Sequence, residues 1–258
     1  MQDTVERFDG RAADYDRYRE RYDADELLPP LRDWCGLTPD WLIADVGSGT
    51  GMLADIFLAN GNRVIAIEPN AEMRAACARL HPDESRLEIR EGTAESTGLR
   101  DGSVDMICAG RALHWFHLEA AMGEFRRVLR PGGWVVSVAA GRTEFGREEN
   151  VAFAKLLERL SETARNREIA YSAYNRMKNF FEGGDYHHYE HGGEMRMDWE
   201  HLRGMALSLS HTPRSDDPRF PEFEQELKEF FDQYAKDGVV TWETRCWLNA
   251  GRFALSTR

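Results

Sequence analysis

The chain has 258 residues, of which 42% are hydrophobic, and this suffices for one α/β domain with an insertion and a sizeable core. Its formal net charge of −12 disfavours nucleic acid and anionic membranes as partners. No apolar run reaches the length of a membrane helix and the four cysteines, at positions 35, 77, 108 and 246, include no CxxC pair, so we expect a soluble cytoplasmic protein with neither a zinc site nor disulfides.

Two helices are predicted before the first strand, within residues 3–34. Tyrosines recur at helical spacing among many charges in the first helix, at Tyr15, Tyr18 and Tyr22. A tyrosine stripe is more often packing than chemistry, so spacing alone favours a structural role for these residues.

An apolar run at 41–44 predicts a buried strand, which leads into a loop with glycine at every second position: Gly47, Gly49 and Gly51. Glycine lets the backbone turn sharply against a ligand, and the next helix points its N-terminal N–H groups at the loop. The spacing differs from the dinucleotide fingerprint, which needs glycine where Met52 stands. The loop predicts a nucleotide-binding turn, with an ordinary strand-to-helix corner as the alternative.

Two carboxylates stand at strand ends beside this loop. Asp45 precedes the first glycine, where it can brace the loop or reach a ligand's ammonium group. Glu68 ends a second buried strand about 20 residues past the glycine turn, the position at which doubly wound folds bind ribose hydroxyls. Asn70 then caps a helix that runs through Met73.

The βα alternation continues through three more predicted strands, at 87–90, 104–109 and 134–138. The loop after the third strand could face an adenine, and the loop after the fourth carries histidines and aromatic residues beside the expected ligand. The helix at 119–129 ends near three arginines (Arg126, Arg127 and Arg130), which suit the negative end of a helix dipole better than a nucleic-acid patch.

After residue 140 the alternation lapses until a helix near 220–234 and a last strand at 239–248, which we expect to be antiparallel at the sheet edge. The predicted fold is α/β, a doubly wound, mostly parallel, Rossmann-like sheet with an antiparallel last strand. The predicted regions are a helical segment at 1–36, a cofactor-binding core at 37–140, a mainly helical cap with the acceptor pocket at 141–211, and a helix and strand at 212–258 that complete the core.

Four motifs in order resemble the class I S-adenosylmethionine-dependent methyltransferases, specifically the small-molecule branch similar to trans-aconitate methyltransferases. They are ADVGSGTG at 44–51, IAIEPN at 65–70, VDMICAGRALHWF at 104–116 and RVLRPGGWVVSV at 127–138. The resemblance covers roughly residues 38–139, and the segment at 8–22 is similar to the one that precedes the core in that branch.

The resemblance implies S-adenosylmethionine as the cofactor. Its methionine and ribose portion would contact Gly47, Ser48, Gly49 and Gly51, its ribose hydroxyls Glu68, and its adenine Pro69, Asn70 and Met73, with Thr93, Ala94 and Glu95 near the adenine edge. Its amino group would face the backbone of Gly110, Arg111 and Ala112, and a lid formed by Tyr15, Tyr18 and Arg19 would close over its carboxylate end. Related proteins often carry a short acidic side chain in place of Thr93, so here Thr93 or Glu95 must contact the adenine amino group.

His114 and His117 are the candidate general bases, because a histidine can accept a proton near neutral pH. A ring packed against Trp115 is the structural alternative for His114. Candidate acceptor-binding residues are Trp115, Tyr186 and Trp199, although core packing is the usual role of such residues. No metal is expected at the histidines at 187, 188 and 191, since adjacent histidines usually point apart.

The sequence therefore predicts methyl transfer to a small-molecule acceptor, with oxygen of an acid or hydroxyl favoured and nitrogen, sulfur or carbon left open. A monomer or homodimer is expected. The alternatives are a nucleotide-dependent oxidoreductase and a protein that binds the cofactor without chemistry.

Overall fold

The computed structural model describes residues 10–160, 173–174 and 176–254. The start of the first predicted helix, at 3–9, and the cap residues 161–172 lie outside these ranges. The helices are α1 Ala12–Tyr18, α2 Ala24–Cys35, α3 Met52–Ala59, α4 Ala71–Leu80, α5 Leu118–Val128, α6 Glu148–Leu160, α7 Trp199–Leu207 and α8 Phe220–Tyr234. The strands are β1 Leu42–Val46, β2 Arg63–Ile67, β3 Leu87–Arg90, β4 Val104–Gly110, β5 Leu129–Arg142, β6 Asp185–Met197 and β7 Val240–Arg252. None of the described helices is long and apolar enough to cross a membrane.

The seven strands form one sheet in the order β3-β2-β1-β4-β5-β7-β6. The strand pairs from β3 to β5 are all parallel. The order reverses between β1 and β4, and open parallel sheets bind ligands at such a switch point, outside the carboxyl ends of the strands. The predicted α/β class and doubly wound topology are confirmed.

Strands β1, β2 and β4 are buried on both faces, as expected for parallel strands covered by helices. Ile43, Ala44, Ile67 and Met106 are fully buried, so these strands appear in the sequence as continuous apolar runs. The predicted break at Pro131-Gly132-Gly133 lies inside β5 as a bulge. Residues 130–133 stand opposite a single residue of β4, because pairing resumes only at Trp134.

The chain divides into two compact units, as far as their residues are described. The core unit is built from residues 21–139, 169–190 and 247–258, and the second unit from 1–20, 140–168 and 191–246. In the core unit, α5 buries Phe125 and Met122 in the same cluster as the inward side chains of β1, β2 and β4. In the second unit, α6, α7 and α8 pack around Phe153 and Trp242.

The predicted first helix forms α1, and the second unit holds it through one buried arginine. The guanidinium of Arg11 donates hydrogen bonds to the backbone oxygen of Leu207, to that of Leu209 at 2.7 Å and to that of Thr212 at 2.7 Å. These carbonyls lie at and just after the C-terminal end of α7, where helical carbonyls lack intrahelical partners. Arg11 therefore caps α7.

In the last third of the chain one strand was missed and one position was wrong. Besides its helices, the cap at 141–211 contains strand β6, which sequence periodicity missed because its polar side chains and Gly192-Gly193 give no apolar alternation. Strand β7 was expected at the sheet edge but lies between β5 and β6, so β6 is the edge strand. In the core unit Arg252 near the end of β7 pairs with Asp185 at the start of β6, which fits the predicted antiparallel direction of β7.

Candidate cofactor site

The glycine loop after β1 is closely packed at Gly47 and Gly51, whereas Gly49 has space beside it. All three glycines have positive φ, at 67° for Gly47, 57° for Gly49 and 95° for Gly51. A Cβ on Gly47 would lie 2.8 Å from the Cβ of Ala112, and one on Gly51 would lie 2.9 Å from Sγ of Cys77. A Cβ on Gly49 would meet none of the described residues within 4 Å. As far as the chain is described, Gly49 therefore leaves its backbone open, so that a ligand can lie against it.

The carboxylate of Glu68 connects the glycine loop to the loop after β2. Its Oε2 accepts a hydrogen bond from the amide of Gly49 at 2.9 Å, and its Oε1 accepts one from the amide of Asn70 at 2.8 Å. Burial raises the pKa of Glu68, while the two amides and Arg74 oppose that shift. Each carboxylate oxygen has a further lone pair, so Glu68 is held in place yet can still accept ligand hydroxyls.

Asp45 is completely buried beneath the glycine loop. Burial raises the pKa of its carboxyl group to about 7, the hydrogen bond from Cys108 opposes this shift, and the negative charge of Glu68 adds to it. The thiol of Cys108 donates to Oδ1 of Asp45 at 3.6 Å. Within the described residues, Oδ2 of Asp45 and the buried hydroxyls of Ser48 and Thr50 have no hydrogen-bond partner. Buried polar atoms without protein partners call for a ligand or water, and three of them lie in and beside one loop.

The residues predicted to contact an adenine lie on the core unit at two loops. Asn70 caps α4 as predicted, because its Oδ1 accepts from the amide of Met73 at 2.9 Å. Met73 is buried, and the carbonyl of Pro69 accepts from Arg74 at 2.7 Å. Pro69, Asn70 and Met73 are therefore fixed by their own hydrogen bonds and packing.

The second of these loops, after β3, is closed by Thr93, whose hydroxyl accepts from the amide of Ser96 at 3.2 Å. Ala94 is buried. Oε1 of Glu95 accepts from the amide of His117 at 2.8 Å, which ties this loop to the start of α5. Both side chains named for the adenine amino group thus already take part in local hydrogen bonds.

The loop after β4 makes a contact that sequence reasoning missed. A Cβ on Gly110 would lie 2.6 Å from the hydroxyl oxygen of Tyr22, so the Tyr22 ring rests directly on the backbone at the end of β4. Arg111 follows with a positive φ of 51°, and Ala112 is buried. The only sequence signal for Tyr22 was its place in the tyrosine stripe, which does not show which tyrosine meets the sheet.

The two candidate bases differ in their surroundings. The ring of His114 packs on Trp115 with centroids 4.7 Å apart and a tilt of 44°, the structural alternative considered above. His117 is exposed and immediately precedes α5. A role as general base therefore stays a prediction for both histidines.

The remaining predicted site residues do not all belong to the core unit. Tyr15, Tyr18, Arg19 and Trp199 lie in the second unit. There Tyr18 donates to Glu200 at 3.1 Å, and the predicted acceptor residue Trp199 packs edge-on against a phenylalanine of α8 in the unit's core. The rings of Tyr18 and Trp199 are both partly buried against the hydrophobic cluster of this unit.

Tyr186 is in the core unit and donates to Oδ1 of Asn249 at 2.7 Å, and burial raises its pKa. The neighbouring histidines of β6 have different partners. His187 stacks on Trp34 with centroids 5.1 Å apart, whereas His188 bonds Asn249. Among the described residues no group of three or more His, Cys, Asp or Glu could hold a metal ion.

Comparison with known proteins agrees with the geometry of the loop. A family model described as "methyltransferase domain" matches residues 44–137, which run from β1 into β5. An uncharacterized methyltransferase of Mycobacterium tuberculosis is 35% identical over 119 residues, 46% of each chain. A malonyl-[acyl-carrier protein] O-methyltransferase of Pectobacterium atrosepticum is 35% identical over 128 residues, 48% of each chain. The match spans about half the length of these curated relatives.

Solved structures resemble the chain over most of its length. A proposed type II methyltransferase from Anaeromyxobacter dehalogenans has a TM-score of 0.64 at 23% identity, over 91% of this chain and 98% of that one. The YcgJ protein of Bacillus subtilis has a TM-score of 0.54 at 18% identity, over 90% of this chain and 100% of that one. At such identities the likeness shows the fold.

Residues 44–137 therefore match a methyltransferase domain, and the chain has the Rossmann-like fold found in the class I S-adenosylmethionine-dependent methyltransferases. S-adenosylmethionine is the methyl donor of that class. It fits the site on structural grounds, because the open backbone at Gly49, the anchored carboxylate of Glu68 and the unpartnered polar atoms beside them match its hydroxyl and ammonium groups.

Proposed function

We propose that this protein transfers a methyl group from S-adenosylmethionine to a small-molecule acceptor. The observation that carries the proposal is Glu68, a buried carboxylate fixed by amides of two loops at the switch point of a methyltransferase domain. The matched domain, the topology and the open backbone at Gly49 support the same function.

When bound, the cofactor supplies a methyl group on a positively charged sulfur. The acceptor atom bonds to the methyl carbon in line with the carbon–sulfur bond, and the sulfur leaves with the electrons of that bond. The protein needs to hold the two partners in line, and such orientation can contribute roughly 7 to 11 kcal/mol. In this proposal Glu68 holds the ribose, the backbone at Gly49 lies along the methionine portion, and Asp45 attracts the ammonium group. Pro69, Asn70, Met73 and the loop at 93–95 enclose the adenine.

For the acceptor we favour oxygen of an acid or a hydroxyl. The relative named malonyl-[acyl-carrier protein] O-methyltransferase supports oxygen, and the resemblance to the trans-aconitate branch supports a small carboxylic acid. A carboxylate acceptor is already ionised and needs only orientation, whereas a hydroxyl must lose a proton. His114 or His117 would accept that proton, and Trp115 and Tyr186 are the core-unit candidates for contact with the acceptor.

The lid residues Tyr15, Tyr18 and Arg19 and the acceptor residue Trp199 are proposed on the resemblance and the sequence alone. For Trp199, the ring contact with Phe231 favours packing.

Titration calorimetry with S-adenosylmethionine, S-adenosylhomocysteine and nicotinamide dinucleotides tests the cofactor first. We expect binding of both sulfur compounds and none of the dinucleotides; the reverse pattern would favour the oxidoreductase. Turnover is then tested with methyl-labelled donor and a panel of carboxylic acids, phenols, thiols and amines. Tight donor binding without transfer to any class would favour a protein that binds the cofactor without chemistry.

A further inference from the structure

Arg111 has a backbone conformation that its residue type does not favour. Its φ of 51° is in the left-handed region, and Asp237 is the only other non-glycine residue there within the described chain. Short Asp side chains tolerate this region, but the long Arg side chain gains nothing locally from it. Such strain persists where surrounding contacts impose it, and it clusters at functional sites. Here the amide of Arg111 donates to the carbonyl of Val138 at 2.8 Å, which fixes the turn after β4.

Among the described contacts of the Arg111 side chain are two with residues from other elements of the core unit. Its guanidinium carbon lies 4.9 Å from the ring centre of Tyr22. Its Nη2 lies 3.3 Å from Sδ of Met52. Tyr22 is itself seated on Gly110, so the ring that supports the guanidinium is fixed against the end of β4. The cation therefore has a defined position beside the glycine loop.

That position is at the positive end of a helix. Met52 is the first residue of α3, and side chains in a helix tilt toward its N-terminus, so the guanidinium lies at the N-terminal end of α3. The N-cap is Gly51, which offers no side-chain hydrogen bond to the first amides; in the first turn, the amide of Ala54 donates to the buried carboxylate of Asp45. A cation is unfavourable at this end of the helix dipole, whereas an anion there would be stabilised by both.

A second observation also indicates a ligand here. The hydroxyls of Ser48 and Thr50, in the loop that leads into α3, are buried and have no hydrogen-bond partner among the described residues. Thr50 is 1% exposed and Ser48 9%. Polar atoms in such a loop acquire partners when a polar ligand is bound.

We propose that the guanidinium of Arg111 and the N-terminus of α3 form a carboxylate-binding position, and that Tyr22 positions the guanidinium. The planar fork of arginine matches a carboxylate with two parallel hydrogen bonds. The carboxylate belongs to one of two sources, the methionine portion of the cofactor or the acceptor. Assignment to either source rests on the proposed function, and under the first the side chain of Arg111 performs the role that the resemblance gave to Arg19.

Two variants remove the cation in different ways. Arg111→Gln keeps a polar side chain of similar reach, and Arg111→Gly keeps the left-handed backbone without steric cost, so a folded protein is expected from at least the second. Arg90→Gln is the matched control, since Arg90 is a core-unit arginine on β3 whose side chain pairs with Glu88. Tyr22→Leu removes the ring that supports the guanidinium.

The probes are S-adenosylhomocysteine and its decarboxylated analogue, which keeps the amino group and lacks only the carboxylate. If the cofactor supplies the carboxylate, Arg111→Gln and Arg111→Gly should bind S-adenosylhomocysteine about ten- to hundredfold more weakly, the loss of a charge-assisted bond. Their affinity for the decarboxylated analogue should equal that of the wild type, and so should both affinities of Arg90→Gln. Tyr22→Leu should show a smaller loss with the same selectivity.

A second arm tests the acceptor as the source. Thermal shifts are measured with acetate, malonate, succinate and citrate, with and without S-adenosylhomocysteine. Stabilisation of the wild type by an acid, absent in both Arg111 variants, would assign the position to the acceptor. Equal behaviour of wild type and Arg111 variants in both arms would overturn the proposal. Failure of the wild type to bind S-adenosylhomocysteine would contradict the proposed function instead, and the acid arm would still decide whether the position exists.

Discussion

The two units differ in how they partner buried charged groups. In the second unit, the terminal nitrogens of buried Arg11 donate to backbone carbonyls at and after the end of α7, so the protein supplies several partners for this charge and only Nε has none among the described residues. In the core unit, buried Asp45 has one oxygen without a partner in the described chain, and the hydroxyls of Ser48 and Thr50 share this condition. The difference separates a group that stabilises the fold from groups that we propose to bind a ligand, and the latter cost stability as long as they have no partner.

The largest expected effect is on the Arg11 side of this comparison. Arg11→Leu leaves several buried carbonyls without a donor, so we expect a loss of about 3 to 5 kcal/mol in the free energy of unfolding. Arg17→Leu is the control, because Arg17 pairs with Glu200 on the surface and should contribute less than about 1 kcal/mol. Urea unfolding of the two variants measures this, and equal losses would show that Arg11 is no more structural than a surface arginine.

At Asp45 we expect a substitution to increase the free energy of unfolding, the opposite of the effect at Arg11. Its pKa is about 7 in the folded chain against 3.8 for the free group, so its contribution to stability is complete below pH 3.8 and is lost as the pH rises through 7. Three pKa units correspond to about 4 kcal/mol. Asp45→Asn should therefore be more stable than the wild type at pH 8 and similar to it at pH 4. Urea unfolding at both pH values tests this; a variant that is less stable at pH 8 would mean that the carboxylate is satisfied.

Gly49→Val tests whether the ligand occupies the open space beside the loop. The side chain would fill that space, and we expect at least a hundredfold loss of affinity for S-adenosylhomocysteine, about 2.7 kcal/mol. Gly102→Val is a matched control: its φ of 58° imposes the same strain as the 57° of Gly49, and a Cβ there also meets no described residue within 4 Å. Calorimetry on both folded variants decides the point. Equal affinities would mean that the loop does not bind the ligand.

Glu68→Ala removes the carboxylate that is proposed to bind the ribose. Loss of one charge-assisted bond should weaken S-adenosylhomocysteine binding about ten- to hundredfold. Glu88→Ala is the control, because Glu88 is an exposed glutamate on β3 that pairs with Arg90. Unchanged affinity in folded Glu68→Ala would contradict the cofactor assignment, and it would place Glu68 with Arg11 as a residue of the fold.

The smallest expected effect concerns the predicted lid. Helix α1 is already formed and held by Arg11 and Tyr18 within the second unit, so its amides should be protected from hydrogen exchange without cofactor. We expect S-adenosylhomocysteine to slow exchange only in the segment at 19–23, which has no helix. Slower exchange throughout 12–23 would show a lid that orders as a whole, and no change anywhere would reject the lid.

The sequence predicts best where one residue type is needed for one local reason. The glycine loop, the carboxylate at Glu68 and the Asn70 cap each follow from such reasons, and the comparisons and hydrogen bonds agree with the local structure. Strand β6 has no local reason, because an exposed edge strand needs neither apolar alternation nor β-branched residues. The contact of Tyr22 with Gly110 joins residues 88 positions apart, and periodicity carries no information about which tyrosine makes it.

The cap that Arg11 places on α7 also sets an order for synthesis of the chain. Its acceptors lie 196 to 201 positions later, so this contact cannot form on the ribosome until residue 212 has emerged. The parallel pairs of β1 through β5 need nothing beyond residue 138. Contacts of long sequence separation form late, so the parallel part of the sheet should assemble first, and Arg11 should remain accessible to proteases until α7 and the residues after it have been synthesised.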